Sequence, residues 1–332
     1  MERGPGSLEG TSSVNLDFLV RRLIQMIPLL IAISILGFSM MHLAPGGPLA
    51  LYTLNPSVTA EDVARIEELW GLDKPIPVQY ITWASNMFTG DFGNSFRGGA
   101  EVRHLIVERI PATVELMGAS YAIAILLGFV IGALGALRQY SIFDYLATTG
   151  ALVTLSIPTF WFGLMVIFVF AEQLGWIPSG GYRSLGRGGG GLIDRLHHLV
   201  APASVLGLVL TAQWSRYFRS SILDVIGQDY VRTAHAKGLP RGIVLRRHVL
   251  RNAILPIIAL AGVQLPAVFS GALVAESVFG WAGMGRLFLD ALTYRDYPVL
   301  MALLMITAFL VVLGNLLADI ALGIADPKIR TG

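Results

Sequence analysis

The sequence predicts an all-α membrane protein with six transmembrane helices and both termini in the cytoplasm. Of its 332 residues, 54% are hydrophobic and only 14% are charged, and the mean hydropathy is +0.66. A soluble domain carries about 25% charged residues. Helices are the expected form, because an open sheet would leave backbone polar groups without partners in lipid.

Six apolar stretches are long enough to cross a hydrocarbon core of about 30 Å, which needs roughly 20 helical residues. They are almost free of charge and cover residues 23–41, 116–137, 145–171, 199–215, 253–275 and 298–318. The first is too long for the apolar core of a cleavable signal and lacks a small-residue cleavage site. Gly128 and Gly132, with Gly135 nearby, permit close helix approach. Pro158 predicts a kink in the third stretch.

The placement of Lys and Arg predicts the orientation. With a cytoplasmic N-terminus, 14 of the 24 Lys and Arg residues fall in the short inner segments, eight of them in the loop 216–252. The outer segments are longer and hold the remaining 10, and the first of them is acidic. Because inner loops carry the excess of Lys and Arg, both termini and the loop 216–252 are predicted to be cytoplasmic.

The predicted organisation has five parts. These are a cytoplasmic tail (1–19), a first transmembrane helix (20–42), an extracytoplasmic segment (43–111), a core of five transmembrane helices (112–322) and a second cytoplasmic tail (323–332). In the outer segment, Thr59 is a candidate cap for a surface helix that ends at Gly71. That helix lies on the outer surface or forms a landing surface for an external protein. Pro111 is expected to start the second crossing.

The sequence lacks the residues that several kinds of chemical site require. The chain has no cysteine, which excludes a disulfide framework and a thiolate metal site. It also has no Gly-x-x-x-x-Gly-Lys-Ser/Thr loop, so no ATP site is expected in this chain. His197 and His198 are adjacent and cannot share a helical face as metal ligands would. No catalytic residue, cofactor, metal or nucleic-acid partner is predicted.

The cytoplasmic loop carries the most informative pattern. Good helix formers cover residues 222–237, Gly238 ends that helix and Pro240 prevents its continuation. A basic helix over 241–251 leads into the fifth crossing, where Pro256 lies just inside. Positive-inside placement accounts for the basic residues but not for this helix–glycine–proline–helix order. The order therefore predicts a surface that receives a partner.

This loop resembles the coupling motif of ABC importer permeases. Thr233-Ala234, Gly238 and Ile254-Leu255-Pro256 are similar to that family's signature. Two departures, Thr233 in place of the usual Glu and a longer gap after Gly238, are similar to the peptide/nickel branch. The long outer segment resembles the first, B-type permease of dipeptide and oligopeptide importers. Further matching passages lie at 21–23, 43–48, 71–80, 90–95, 109–115 and 276–286.

The resemblance implies a type I ABC importer permease fold in a bacterial or archaeal inner membrane. It implies a homologous second permease, two ABC ATPase subunits that bind ATP and Mg, and an extracytoplasmic substrate-binding protein as partners. Import of short peptides is the implied function. Ala234 and Gly238 are the leading candidates for ATPase docking, with Arg232 and Asp229 as polar supports. The full set of expected coupling residues is Asp229, Tyr230, Arg232, Thr233, Ala234, Lys237, Gly238 and Pro256.

Three polar residues in or beside the fifth crossing are candidates to line the translocation path: Gln264, Ser270 and Glu276. Gln264 could equally bridge helices. The same architecture could import nickel, glutathione or an oligosaccharide instead of peptides. A more remote alternative is an intramembrane hydrolase built on Ser270-Gly271, but no histidine lies in the fifth or sixth crossing to activate that serine.

Overall fold

The computed structural model describes residues 16–53, 57–184, 190–270 and 272–325. Within these ranges the chain is helical, and an isolated bridge between Asn94 and Glu101 is the only β pairing. The predicted tails fall largely outside the described residues. The helices before the second crossing are α1 (Leu16–Leu43), α2 (Ala50–Thr53), α3 (Ala60–Leu69) and α4 (Ile76–Thr89).

The rest of the chain contains the longer helices and their connections. They are α5 (Val102–Leu137), α6 (Ile142–Ser156), α7 (Thr159–Val166), α8 (Leu192–Ile226), α9 (Asp229–Ala236), α10 (Arg241–Ile243), α11 (Arg251–Ser270), α12 (Leu273–Val278), α13 (Met284–Thr293) and α14 (Tyr297–Ala325). A π-helical segment, Ile167–Gln173, continues α7, and another, Val244–Leu250, joins α10 to α11.

Four described helices, α1, α5, α8 and α14, are long and apolar enough to span a membrane. The α6–α7 pair makes a fifth span if it is treated as one broken helix. The remaining predicted crossing corresponds to α11. The count of six and the cytoplasmic position of both termini stay predictions.

The kink predicted at Pro158 is present and is larger than a proline kink in a continuous helix. Helix α6 ends at Ser156, α7 begins at Thr159, and the two axes differ by 98°. Pro158 cannot donate a backbone hydrogen bond, and Ile157 before it adopts an extended conformation. The third apolar stretch therefore contains two helices rather than one.

Pro111 does not start the second crossing, contrary to expectation. It lies inside α5, which begins at Val102. Val102 and Ile106 are buried against Met284 and Val299, so apolar packing extends the helix outward beyond the proline. The boundary predicted at residue 111 thus falls within a helix.

The parallel pair α5 and α8 forms the centre of the protein. Gly128 and Gly132 of α5 lie directly against α8; a Cβ on Gly128 would be 2.8 Å from Cβ of Trp214. The predicted small-residue face is confirmed, because only glycine lets the two backbones come this close. Gly207 of α8 returns the contact against Ile123.

The outer segment is fixed to the corner between α13 and α14. The buried carboxylate of Asp296 accepts hydrogen bonds from Ser95 Oγ and from the backbone N–H of Phe96, the latter at 3.0 Å. Phe96 stacks on Trp70 with 3.5 Å between ring centroids. These contacts position the outer helices above the transmembrane bundle.

Candidate functional site

Helix α9 is the second part of the helix predicted over residues 222–237, whose first part, residues 222–226, belongs to the end of α8. Gly227 and Gln228 separate it from α8, and α9 runs from Asp229 to Ala236. Val231 and Ala234 are buried at 2% and 5% exposure in a cluster with Ala136 of α5 and Val249 of the π-helical segment. The helix is thereby held against the ends of three transmembrane elements.

Ala234 lies on the buried face of α9. A small side chain at this position was expected to let a partner approach, but Ala234 faces the protein's own interior. Residues three apart share one helical face, so Ala234 and Val231 both point inward. Ala234 therefore packs α9 against the rest of the chain, and the opposite face of the helix is exposed.

That opposite face is exposed and mixes charge with apolar surface. Tyr230 is 44% exposed and Leu239 is 37% exposed. Arg232 lies 3.5 Å from Asp229, an exposed pair worth little in stability. The exposed residues between Asp229 and Gly238 are Asp229, Tyr230, Arg232, Thr233, His235, Ala236, Lys237 and Gly238. We call six of these residues the α9 surface: Asp229, Tyr230, Arg232, Thr233, Lys237 and Gly238.

Gly238 ends α9 in the manner predicted. Its φ is +76°, a conformation that residues with a Cβ rarely adopt. Its N–H bonds to the carbonyl of His235 at 2.9 Å, and the N–H of Leu239 reaches the carbonyl of Ala234 at 3.4 Å. A Cβ on Gly238 would meet no atom within 4 Å, so conformation rather than space requires glycine.

The α9 surface is connected mechanically to the fifth crossing. The helix from Arg241 through the π-helical segment to Ser270 has no break, and its base packs against α9 through Val244 and Val249. Asn252 Nδ2 donates to the Tyr230 hydroxyl at 3.3 Å. Pro256 lies inside α11 and is exposed. A displacement of α9 would therefore be transmitted into α11.

The three predicted path residues lie in different environments. Gln264 is half-buried, and its Oε1 accepts from the Tyr121 hydroxyl at 3.4 Å, which bridges α11 to α5. Ser270 ends α11, but its side chain and Gly271 lie outside the described residues. The hydrolase alternative, which needs both, therefore lies outside the described residues.

Glu276 is wholly enclosed within this chain. It is 0% exposed, and its carboxylate accepts from Thr113 Oγ1 and from the backbone N–H of Arg286, both at 3.0 Å. A Cβ on Gly283 would overlap this carboxylate. This carboxylate therefore holds α12, the start of α13 and α5 together.

The structure also shows charged contacts that sequence reasoning missed. Arg219 of α8 bonds Asp144 at the start of α6 through two nitrogens, at 2.6 and 2.8 Å. Arg195 binds Glu115 at 2.6 Å, and Tyr182 donates to the same carboxylate at 3.0 Å. The available signal was that each of these carboxylates sits next to an apolar stretch, where an unpaired charge is costly.

No group of three or more His, Asp or Glu side chains that could hold a metal ion occurs in the part of the chain that the structure describes. The α9 surface combines charged, hydroxyl and aromatic groups. It is an exposed helix, fixed by its buried face and coupled to a transmembrane helix.

Comparison with known proteins defines the class: this chain is a membrane permease of binding-protein-dependent transport. It belongs to the family of binding-protein-dependent transport system inner membrane components, which matches residues 124–331. The N-terminal region typical of such membrane components matches residues 15–117. Members of this family are transport permeases and not ATPases.

Relatives match over almost the whole chain. The oligopeptide transport system permease protein AppB of Bacillus subtilis is 45% identical over 94% of this chain and 99% of its own length. The dipeptide transport system permease protein DppB of Escherichia coli K12 is 36% identical over 95% and 99%. DppB of Alkalihalophilus pseudofirmus is also 36% identical, with the same coverage. The resemblance to B-type permeases is confirmed.

A solved structure supports the fold. The crystal structure of an amino acid ABC transporter with histidines matches 65% of this chain and 91% of its own chain, with a TM-score of 0.50 and 19% identity. At that identity the likeness concerns the fold alone. It confirms the predicted ABC permease architecture.

Proposed function

We propose that this chain is the B-type permease subunit of an ATP-driven importer of short peptides. The observation that carries the proposal is the match, over 94–95% of this chain and 99% of each relative, to permeases named for oligopeptide and dipeptide transport. The importer also contains a homologous second permease, two ABC ATPases that bind ATP and Mg, and an extracytoplasmic peptide-binding protein.

The α9 surface supports the proposed contact with an ATPase. Tyr230 of this surface and the neighbouring exposed residue Leu239 provide apolar area, and Arg232 and Lys237 provide charge for orientation. Arg232 and Asp229 lie on the rim, and Thr233 Oγ1 bonds back to the carbonyl of Asp229. Ala234 does not touch the ATPase in this proposal but keeps α9 seated.

In the proposed transport cycle, a movement of α9 is passed to α11 through their rigid packing. ATP binding closes the two ATPases and displaces α9, which moves the base of α11 through the buried contacts of Val231 and Ala234 with Val249. The bundle then opens toward the docked binding protein, and hydrolysis resets it. This cycle requires the ATP-bound and ATP-free ATPases to hold α9 differently, because a ligand shifts a conformational equilibrium only through differential affinity.

The proposal is tested by reconstituting the importer with Gly238→Asp in this chain. Aspartate tolerates positive φ better than most residues, so the helix end is retained while a negative charge enters the docking face. We expect the variant to fold and to join the sister permease, but to lose ATPase recovery on co-purification and peptide-stimulated ATP hydrolysis in liposomes.

Gly242→Asp is the matched control. Gly242 is exposed in the same loop, has no positive φ, and a Cβ there would meet no atom within 4 Å. It places the same charge a short distance from α9. Normal assembly and coupling of Gly238→Asp would refute the docking surface, whereas a wild-type importer that assembles but moves no peptide would refute the peptide cargo.

A further inference from the structure

A groove lies between α6 and α8. Its volume is about 790 Å³, a size that suits a small-molecule ligand. Six polar side chains line it: Thr148 of α6, and Gln213, Arg216, Tyr217, Arg219 and Ser220 of α8.

With the predicted orientation, the groove extends into the depth of the membrane. Helix α6 begins at Ile142 on the predicted inner side, and Leu155 of α6 also lines the groove. At 1.5 Å per residue, Leu155 lies about 20 Å along the helix from its start. The groove therefore reaches from the inner surface into the hydrocarbon layer.

The α8 wall is a polar stripe on one helical face. Arg216 and Tyr217 each lie three or four residues from both Gln213 and Ser220, the spacing of side chains on a common face. Polar and charged groups on a membrane helix face a water-filled cavity or another protein surface rather than lipid. This stripe is therefore suited to a hydrated path.

The two arginines of the groove differ in their partners. Arg219 is bound through two nitrogens to Asp144, which is 4% exposed. Arg216 is exposed and has no ion pair or hydrogen bond with any residue that the structure describes. The groove thus presents one uncommitted guanidinium, whose planar fork matches a carboxylate.

We propose that this groove is a peptide subsite in which Arg216 binds the C-terminal carboxylate of a peptide in transit. Gln213, Tyr217 and Ser220 offer donors and acceptors to the peptide backbone near that end. The free carboxylate is present on every short peptide whatever its side chains, so this subsite accepts varied sequences. The inference rests on the proposed function, because it takes a peptide as the cargo.

The test compares a free-acid peptide with its C-terminal amide in the reconstituted importer. The pair is chosen so that the external binding protein binds both, as measured separately by calorimetry. The wild type is expected to import the free acid faster. Arg216→Gln should slow free-acid import about tenfold or more, the value of one charge-assisted contact, and bring the two peptides to similar rates.

Arg138→Gln is the matched control, since Arg138 is an exposed cation at the predicted inner end of α5, outside the groove. It should import both peptides like the wild type.

Equal effects of the two substitutions, or an unchanged preference in Arg216→Gln, would overturn the subsite. Failure of Arg216→Gln to assemble with the sister permease would also overturn it, by showing that Arg216 pairs with that subunit. Absence of wild-type import of either peptide would instead refute the proposed function itself.

Trapping gives a second measurement that does not depend on rates. The chain has no cysteine, so Ser220→Cys introduces a single thiol into the groove. A peptide carrying a pyridyl disulfide near its C-terminus should form a mixed disulfide with that thiolate during turnover, releasing thiopyridone. Leu146→Cys, on α6 and 69% exposed, lies outside the groove and should not be labelled in an ATP-dependent way. Equal labelling at the two positions would contradict the proposal.

Discussion

Thr113 and Glu276 form a hydrogen bond of 3.0 Å between α5 and α12, at positions that are both 0% exposed. The threonine oxygen also accepts from the backbone N–H of Met284 at 2.7 Å, so one hydroxyl joins α5 to both α12 and α13. Next to it, Trp281 Nε1 donates to the carbonyl of Ala112 at 2.7 Å. The segments 109–115 and 276–286 are therefore joined by one buried hydrogen-bond network. We call this network the buried lock.

Thr113→Val should weaken this lock. Valine has nearly the same shape but leaves the Met284 N–H and one oxygen of Glu276 without their partner. Loss of buried hydrogen bonds costs about 1–3 kcal/mol when a partner group stays unsatisfied. We expect a lower melting temperature of the purified chain, measured by the loss of monodisperse protein on size-exclusion chromatography after heating.

Thr154→Val provides the control for that measurement. Thr154 is a threonine of α6 whose hydroxyl bonds only to the carbonyl of Gly150 in its own helix. Its replacement leaves no buried group unpaired and should not lower the melting temperature. Similar shifts for Thr113→Val and Thr154→Val would show that the lock does not contribute to stability.

The sequence could predict features that depend on nearby residues. The surface helix, its Thr59 cap and the glycine end at Gly238 all follow from local backbone chemistry, and each is present. The small-residue face of α5 was also predictable, because glycines spaced by four must lie together.

Features that depend on distant residues could not be predicted. The spacing of Val231 and Ala234 shows that they share a face, but whether that face turns inward depends on Ala136 of α5, about a hundred residues earlier. The same applies to Glu276, whose burial depends on Thr113. A polar residue beside an apolar stretch indicates function or an internal bond, and the sequence alone does not distinguish them.

The contact between α5 and α8 predicts that alanine has opposite effects on stability at two glycines of α5. A Cβ on Gly132 would lie 2.7 Å from Cβ of Phe218 and 3.0 Å from the backbone nitrogen of Arg219. Gly132→Ala should therefore force the helices apart and cost about 1–3 kcal/mol. The expected result is a lower melting temperature and reduced recovery of folded protein from membranes.

Gly118→Ala is the internal comparison. Gly118 lies in the same helix, is exposed, and has nothing within 4 Å of an added Cβ. Alanine there should be neutral or stabilising by up to about 1 kcal/mol, because glycine is a poor helix former. If both substitutions lowered the melting temperature equally, close packing at Gly132 could not be the cause.

The Asp144–Arg219 pair should contribute measurably to the joint between α6 and α8. Its two hydrogen bonds are short, and the carboxylate is almost fully buried. A double-mutant cycle of Asp144→Asn and Arg219→Met should give a coupling free energy of about 1.5–3 kcal/mol, typical of hydrogen bonds to charged groups.

The matched cycle uses Asp229→Asn and Arg232→Met. That pair lies at 3.5 Å with 75% of the arginine side chain and 95% of the aspartate side chain exposed, so its coupling should stay below about 1 kcal/mol. Chemical unfolding of the purified chain in mixed micelles measures both cycles. Equal coupling in the two would mean that burial of Asp144 adds nothing.

The N-terminus of α3 should lose stability as the pH falls. Thr59 Oγ1 donates to Asp62 at 2.7 Å, and the Thr59 backbone N–H donates to the same oxygen at 3.2 Å, which lowers the pKa of Asp62 below its model-compound value of 3.8. A carboxyl whose pKa is lower in the folded state stabilises that state above its unfolded pKa. The stabilisation is therefore present above pH 4 or so and is lost as the pH falls through the lowered pKa.

Protection factors of the amides around residues 60–66, measured by hydrogen exchange between pH 6 and pH 3, should decrease in the wild type. In Asp62→Asn they should be lower at pH 6 and change less, while Glu67→Gln, on the same helix but outside the cap, should follow the wild type. An unchanged pH dependence in Asp62→Asn would show that another group controls this helix.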